Sequence, residues 1–258
     1  MLTQDQINSY KDNGFLHIEG LLEVGFLAEL QRQSAQLIER LQENAPLPQD
    51  GVLRQAVFRE PVPVGEDPQK GAAFAIMDLQ DYDPIFTRLL FYEPLLGALR
   101  DLLGSGVKLH HTRMITKGSA KKTAGSEGWV VGTHQDQPFF PHRDHSTMAA
   151  WMPLVDITFE NGPLHVVPDS HKSGPIEHNG SPEIGFRLDP DEWPITKGTP
   201  VIARAGDVVF FNYLVVHGST PNRSSARRTA LIYQFCSSTD EPLDSAHHDS
   251  SGNGMLLA

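Results

Sequence analysis

Cysteine is nearly absent: the 258 residues contain one, Cys236. A single thiol excludes an internal disulfide framework and a cysteine-based zinc site, and it is the usage expected in a reducing cytosol. No apolar run reaches the length of a bilayer span. The opening Met1-Leu2-Thr3-Gln4-Asp5-Gln6 lacks the basic start and apolar centre of a signal peptide. Basic residues are scarce too: 21 Lys and Arg stand against 32 Asp and Glu, for a formal net charge of −11. Such a surface repels phosphate backbones, so nucleic acid is not an expected partner, and neither is a membrane. No internal repeat is visible. A cytoplasmic globular protein, monomer or homodimer, is the expectation. With 39% hydrophobic and 21% charged residues, residues 1–258 suit a single domain with one sizeable core.

The first part, residues 1–106, reads as mostly helical. Thr3 and Gln6 have capping-box spacing for a helix over residues 3–12. Asn13-Gly14 ends it, and Phe15-Leu16-His17-Ile18 follows as a short strand. Phe26, Leu27, Leu30, Leu37 and Leu41 repeat at helical spacing within a helix from Leu22 to about Asn44. Residues 52–83 suggest no firm element. Pro84–Leu103 reads as one or two helices, stopped by Gly104 and Gly106. From Val107 to Cys236 the pattern changes to short strands: 107–117, the stretch around His134, 148–155, 164–167 behind a hairpin turn at Asn161-Gly162, 200–203, 207–216 and 229–236. Along the first of these, Leu109, His111, Arg113 and Ile115 share a face. Many short strands after a helical start predict a mainly β protein, with a jelly roll or related closed sandwich over 107–236, taken as a double-stranded β-helix (jelly-roll, cupin-like) core with the helices packed outside it. The tail, 237–258, reads as polar and loosely held.

Chemistry concentrates at Gly132-Thr133-His134-Gln135-Asp136. Alternate positions on a strand or strand end point the same way, so His134 and Asp136 project together. His217, which precedes the turn Gly218-Ser219-Thr220-Pro221-Asn222 and is expected at the end of a buried strand, supplies a second imidazole. Two histidines and one carboxylate with open positions form the ligand set of non-haem Fe(II) oxygenases. Arg228 follows on the next strand, beside Arg227. Alternation turns one of the two inward, where a guanidinium needs an anion.

These motifs resemble the phytanoyl-CoA dioxygenase family of Fe(II)- and 2-oxoglutarate-dependent oxygenases. The resemblance rests on His134-Gln135-Asp136, on Asn161-Gly162-Pro163-Leu164-His165-Val166-Val167-Pro168-Asp169-Ser170-His171-Lys172, and on Gly206-Asp207, His217-Gly218-Ser219 and Arg228. It implies that His134, Asp136 and His217 bind Fe(II), with no further catalytic group beyond the ligands. It implies that Arg228 grips the far carboxylate of 2-oxoglutarate, with Ser219, Trp151 and Ile115 beside it. His111, Arg113, Lys117 and Gln137 are the expected substrate contacts. The expected reaction consumes O2 and 2-oxoglutarate, releases succinate and CO2, and hydroxylates or otherwise oxidises a C–H bond of a small organic molecule. Halogenating relatives lack the carboxylate retained here as Asp136, which disfavours halogenation. Gly118–Gly128 and residues 172–198 are candidate lids. The rival readings are a non-catalytic metal- or ligand-binding barrel and a zinc hydrolase with the same triad. One departure stands out: Asp169 replaces the family's usual glycine before Ser170-His171, so Asp169 either avoids a positive φ or tolerates one.

Overall fold

Thr3 does cap the first helix. Its side chain accepts from Gln6 N while the Gln6 side chain accepts from Thr3 N, and α1 runs Gln4–Asn13 before Gly14 turns left-handed at φ 80°. The structure, a computed structural model, describes residues 1–42, 57–59, 73–104, 106–119, 130–181, 185–243, 250 and 253–258. After β1 (Phe15–Ile18) comes α2 (Val24–Gln42), then β2 (Val57–Arg59), β3 (Ala73–Met77), α3 (Pro84–Leu90) and α4 (Glu93–Leu103). β2 and β3 fall where the sequence pattern suggests no element. Each is short, and they pair with each other and, through β3, with the edge of a longer strand.

The remaining strands are β4 (Val107–Lys117), β5 (Val131–His134), β6 (Met148–Pro153), β7 (Leu164–Val166), β8 (Asn179–Ser181), β9 (Gly185–Arg187), β10 (Thr199–Val201), β11 (Val208–Asn212), β12 (His217–Ser219) and β13 (Arg228–Ser237). A large sheet orders them β1-β11-β6-β13-β4-β3-β2, and a smaller one β10-β7-β12-β5. Core strands from β4 onward cross between the two sheets, which is the winding of a double-stranded β-helix. β8 and β9 form a separate hairpin.

Two corrections concern this winding. The turn at Asn161-Gly162 exists, with Gly162 at φ 82°, but it closes no hairpin. β6 belongs to the large sheet and β7 to the small one, so the chain there is a crossover between sheets. Likewise the apolar run expected as one strand to residue 216 breaks at Asn212. A turn then carries the chain across, and His217 opens β12 rather than ending β11.

The large sheet has two different faces. Outside it, Leu30, Phe86, Leu89 and Leu99 of the helices pack on Leu109, Met114, Leu231, Tyr233 and Phe235 in one buried cluster. Each such side chain contributes roughly 1.5–3 kcal/mol. Inside lies a smaller cluster that includes Trp151, Val166, Phe211, Ala230 and Ile232. Leu109 was expected on the face of His111, but a register shift between Gln234 and Phe235 sets Leu109 opposite Phe235 and His111 opposite Gln234. Such a bulge reverses the alternation locally, so Leu109 faces the helices.

The described parts of the tail, residues 237–243 and 253–258, are docked rather than loosely held. Asp240 is fully buried, and its carboxylate accepts from Asp144 N, Ser146 N and Ser146 Oγ. The last residues hydrogen-bond to β4, with Val107 N donating to the Ala258 carbonyl and Leu257 N to the Val107 carbonyl. Polar composition misled here because these polar groups are satisfied within the protein, by backbone and by Ser146, rather than by water.

Candidate active site

His134 is the last residue of β5, His217 the first of β12, and the ladder sets them opposite each other. Their ring centroids are 4.3 Å apart. Gly218 lets β12 fit: a Cβ there would lie 2.8 Å from the Val131 carbonyl oxygen and 2.9 Å from Ile195 Cδ1. Nδ1 of His134 lies 2.9 Å from the Gly132 carbonyl, and Nδ1 of His217 2.9 Å from that of Val215. A carbonyl only accepts, so both Nδ1 atoms carry the proton and both Nε2 lone pairs are left for a ligand. They face Asp136 Oδ1 at 3.6 and 3.7 Å.

Strand alternation is not what aims Asp136. Its backbone is helical, φ −74° and ψ −18°, at the start of a 3₁₀ turn over Gln137–Phe139. The Tyr213 carbonyl fixes that turn by accepting from Asp136 N at 2.9 Å. Gln234 Nε2 then donates to Asp136 Oδ2 at 2.7 Å, which leaves Oδ1 free to coordinate. Burial opposes charge on Asp136, but His217, His134 and Arg113 outweigh it and hold the carboxyl well below the usual range. Burial, and then His134, push His217 down to about 4, so the ring is a neutral donor at neutral pH. One donor atom from each of the three lies within 4.8 Å of the others. Metal bonds of about 2.1 Å span the gaps to Asp136 Oδ1 around a shared ion, and the donor set suits Fe(II).

The long motif from Asn161 to Lys172 is largely a brace. Ser170 Oγ accepts from Val216 N at 2.8 Å, and the Val216 carbonyl accepts from Val167 N at 2.8 Å. Both bonds pin the residue before His217. Asp169 takes the left-handed conformation at φ 65°, so aspartate tolerates the positive φ. Gln135, between the two ligands, turns away. Its amide donates to the Gly174 and Leu214 carbonyls and accepts from Ile176 N.

Inside the barrel, β13 points Arg228, Ala230, Ile232 and Gln234 the same way, opposite Lys117, Ile115, Arg113 and His111 of β4. Arg228 and Lys117 are each 2% exposed. The Arg228 guanidinium carbon lies 5.2 Å from the Trp151 ring centre. Its Nε is buried without a hydrogen-bond partner, and burial lowers its pKa to about 10. Lys117 Nζ donates to Ser219 Oγ at 2.7 Å and to the Thr220 carbonyl at 2.8 Å. Burial, and then the Arg228 charge, pull Lys117 well below its ordinary range. The structure therefore brings Lys117 to the end that holds Arg228, Ser219 and Trp151, away from the substrate contacts with which it was grouped. Ile115 packs against the cluster of Trp151 and Ala230.

His111 and Arg113 lie nearer the triad. Arg113 Nη2 is 3.8 Å from Asp136 Oδ1. Gln137 is partly buried, donates through its backbone to the Tyr213 carbonyl at 3.3 Å, and has no side-chain bond to the triad among the described residues. Sequence reasoning missed Gln234. The available signal was a lone amide on the face shared with Arg228, in an otherwise apolar run.

The sequence matches the phytanoyl-CoA dioxygenase (PhyH) family over residues 10–230. It is 27% identical to the peroxisomal phytanoyl-CoA dioxygenase of Bos taurus over 253 residues, covering 95% of this chain and 71% of the relative. It is 28% identical to L-proline trans-4-hydroxylase of Streptomyces griseoviridis over 193 residues, covering 66% and 70%. The fold is similar to EctD from S. alaskensis with bound Fe, at TM-score 0.74 and 18% identity, covering 98% of this chain and 85% of that one. The carbocyclase SnoK from nogalamycin biosynthesis superposes with TM-score 0.71 and 20% identity, covering 100% and 97%. Fold, metal-binding triad and sequence agree: the chain belongs to the phytanoyl-CoA dioxygenase family of Fe(II)- and 2-oxoglutarate-dependent oxygenases.

Proposed function

We propose that the protein hydroxylates a C–H bond of a small organic substrate, with His134, Asp136 and His217 holding Fe(II) and Arg228 holding the distal carboxylate of 2-oxoglutarate. One observation carries this reading: a sealed guanidinium with no partner on Nε, on the strand that also supplies Gln234 to the metal-binding carboxylate. A buried cation without an anion is costly, and a diacid reaching from the metal offsets that cost. Ser219 and Lys117 complete the carboxylate's surroundings, and Trp151 covers the guanidinium face. A zinc hydrolase or an inert barrel has no use for this pocket.

When bound, the iron and 2-oxoglutarate together activate O2, with succinate and CO2 as co-products. The chain's part is placement. The two carbonyl-held imidazoles and the Gln234-held carboxylate keep three donors on one side, so the opposite side stays open. The hairpin of β8 and β9 supports closure over His134. His178 Nε2 accepts from Gln135 N at 2.8 Å, Phe186 lies 4.9 Å from Phe139 ring to ring, and Leu188 N donates to the Thr133 carbonyl at 2.8 Å. Of the other candidate lid, residues 120–128 lie outside the described residues. No helix among the described residues is long and apolar enough to cross a membrane, and the lone Cys236 is a buried free thiol. The second of these supports a reducing compartment. Adding 2-oxoglutarate to the anaerobic Fe(II) protein should produce a weak visible charge-transfer band. Absence of the band with intact iron binding would reject the oxygenase reading.

A further inference from the structure

We propose that Arg113, with His111 beside it, holds a carboxylate of the substrate, so that the molecule oxidised is an organic acid. The inference rests on the oxygenase reading and deepens it. Arg113 differs from a structural arginine in that its side chain makes no hydrogen bond to any described residue, and its Nε is buried and orphaned. Its side chain is only 25% exposed, and the acidic atom paired with it among the described residues, Asp136 Oδ1, is 3.8 Å from Nη2. A formed charge-assisted bond is about 2.7–2.9 Å long. That oxygen is moreover the one turned toward the two imidazole Nε2 atoms, so a bound metal takes it from Arg113. A guanidinium so enclosed needs an anion, and its planar fork matches a carboxylate at two points.

The distal carboxylate of the co-substrate cannot supply that anion. Its pocket lies at Arg228 and Lys117, four positions along β4 from Arg113, or about 13 Å at the rise of an extended strand. Arg113 instead stands level with the metal-binding groups, opposite Ile232 and two residues along β4 from His111, the partner of Gln234. His111 shares this face. Its Nδ1 is 2.7 Å from Nδ1 of His110, which holds the ring in place, and its Nε2 has no partner among the described residues. In the tautomer where His110 donates, His111 presents Nε2–H toward the same space as the guanidinium. Phe139, edge-on to His134 at 6.2 Å, and Phe186 beyond it put apolar surface beside the triad, suited to the rest of the molecule.

The test uses anaerobic protein loaded with Fe(II) and saturating 2-oxoglutarate, with the visible band followed during titration. The probes are monocarboxylates of two to six carbons, their primary amides, and inorganic phosphate. Carboxylates should perturb the band at concentrations about tenfold or more below those of the matching amides. Arg113→Gln should abolish that preference while half-saturation by 2-oxoglutarate stays within about twofold, and Arg113→Lys should retain part of it. Equal response to acids and amides, no response to any acid, a preference for phosphate, or an undiminished preference in Arg113→Gln would each overturn the proposal. A rise of more than about twofold in half-saturation by 2-oxoglutarate in Arg113→Gln would assign the anion to the end of the co-substrate nearest the metal and overturn it as well. Loss of the band itself in Arg113→Gln would also overturn it, because Arg113 would then be a support for Asp136. A wild-type protein that forms no band fails at the earlier step, which separates the two readings.

Discussion

Arg228 and Arg113 stand on neighbouring strands, point into one barrel and lack partners on Nε, yet they meet different surroundings. Arg228 is 2% exposed and lies against a tryptophan. Arg113 keeps a quarter of its side chain exposed and lies against a metal-binding carboxylate. A dry, fully walled cation suits a partner that is the same in every turnover. A cation left open on one side suits a molecule that enters and leaves. On the proposed reading the barrel is divided into a fixed compartment at Arg228 and an exchangeable one at Arg113, beside the triad.

The largest expected effect comes from removing what the two compartments share. Asp136→Ala should cut 2-oxoglutarate-dependent succinate formation by about a thousandfold or more and abolish Fe(II) binding, with the circular dichroism spectrum retained. Next, Arg228→Met should raise the 2-oxoglutarate concentration for half-saturation about a hundredfold. It should also raise the melting temperature of the metal-free protein, because an uncompensated buried charge disappears. A fall in melting temperature would show that Arg228 is satisfied within the protein and would erase the contrast. Lys117→Met should cost about tenfold in the same half-saturation, and Trp151→Leu only a few-fold, the scale of a cation–π contact of about 0.5–2 kcal/mol. Calorimetry of each loaded variant reads these shifts directly.

The smallest effect is on the metal-free protein. His217 is held at about 4 in the folded state against an ordinary value of 6.5. Below 6.5 the unfolded chain therefore binds a proton that the folded chain refuses. Stability should be full above that pH and fall as the pH drops toward 4, and His217→Gln should flatten the decline in urea melts followed by fluorescence.

The sequence carried the metal ligands because each belongs to a local motif at a turn, and it carried the helices because their apolar spacing is regular. It did not carry what depends on the partner strand. Leu109 faces outward only because β13 shifts register beside it. Lys117 belongs with Arg228 only because those two residues are paired across the ladder. β2 and β3 finish one end of the large sheet, and β3 is placed there by β4, a partner well downstream in the chain. The docking of Met255–Ala258 was hidden for the same reason, since nothing in that stretch announces β4 as its partner.

The two walls of the barrel also act as a ruler. His134 and His217 are carried by the small sheet, and Arg228 by the large one, so the span between metal and guanidinium is set by how the sheets stack rather than by any flexible loop. A 2-oxo diacid one carbon shorter or longer than 2-oxoglutarate would meet the same fixed gap and leave one end unheld. If Arg228 holds the distal carboxylate as proposed, chain-length selectivity for the co-substrate is set by the scaffold, and exchanging residues at the open mouth should leave it unchanged.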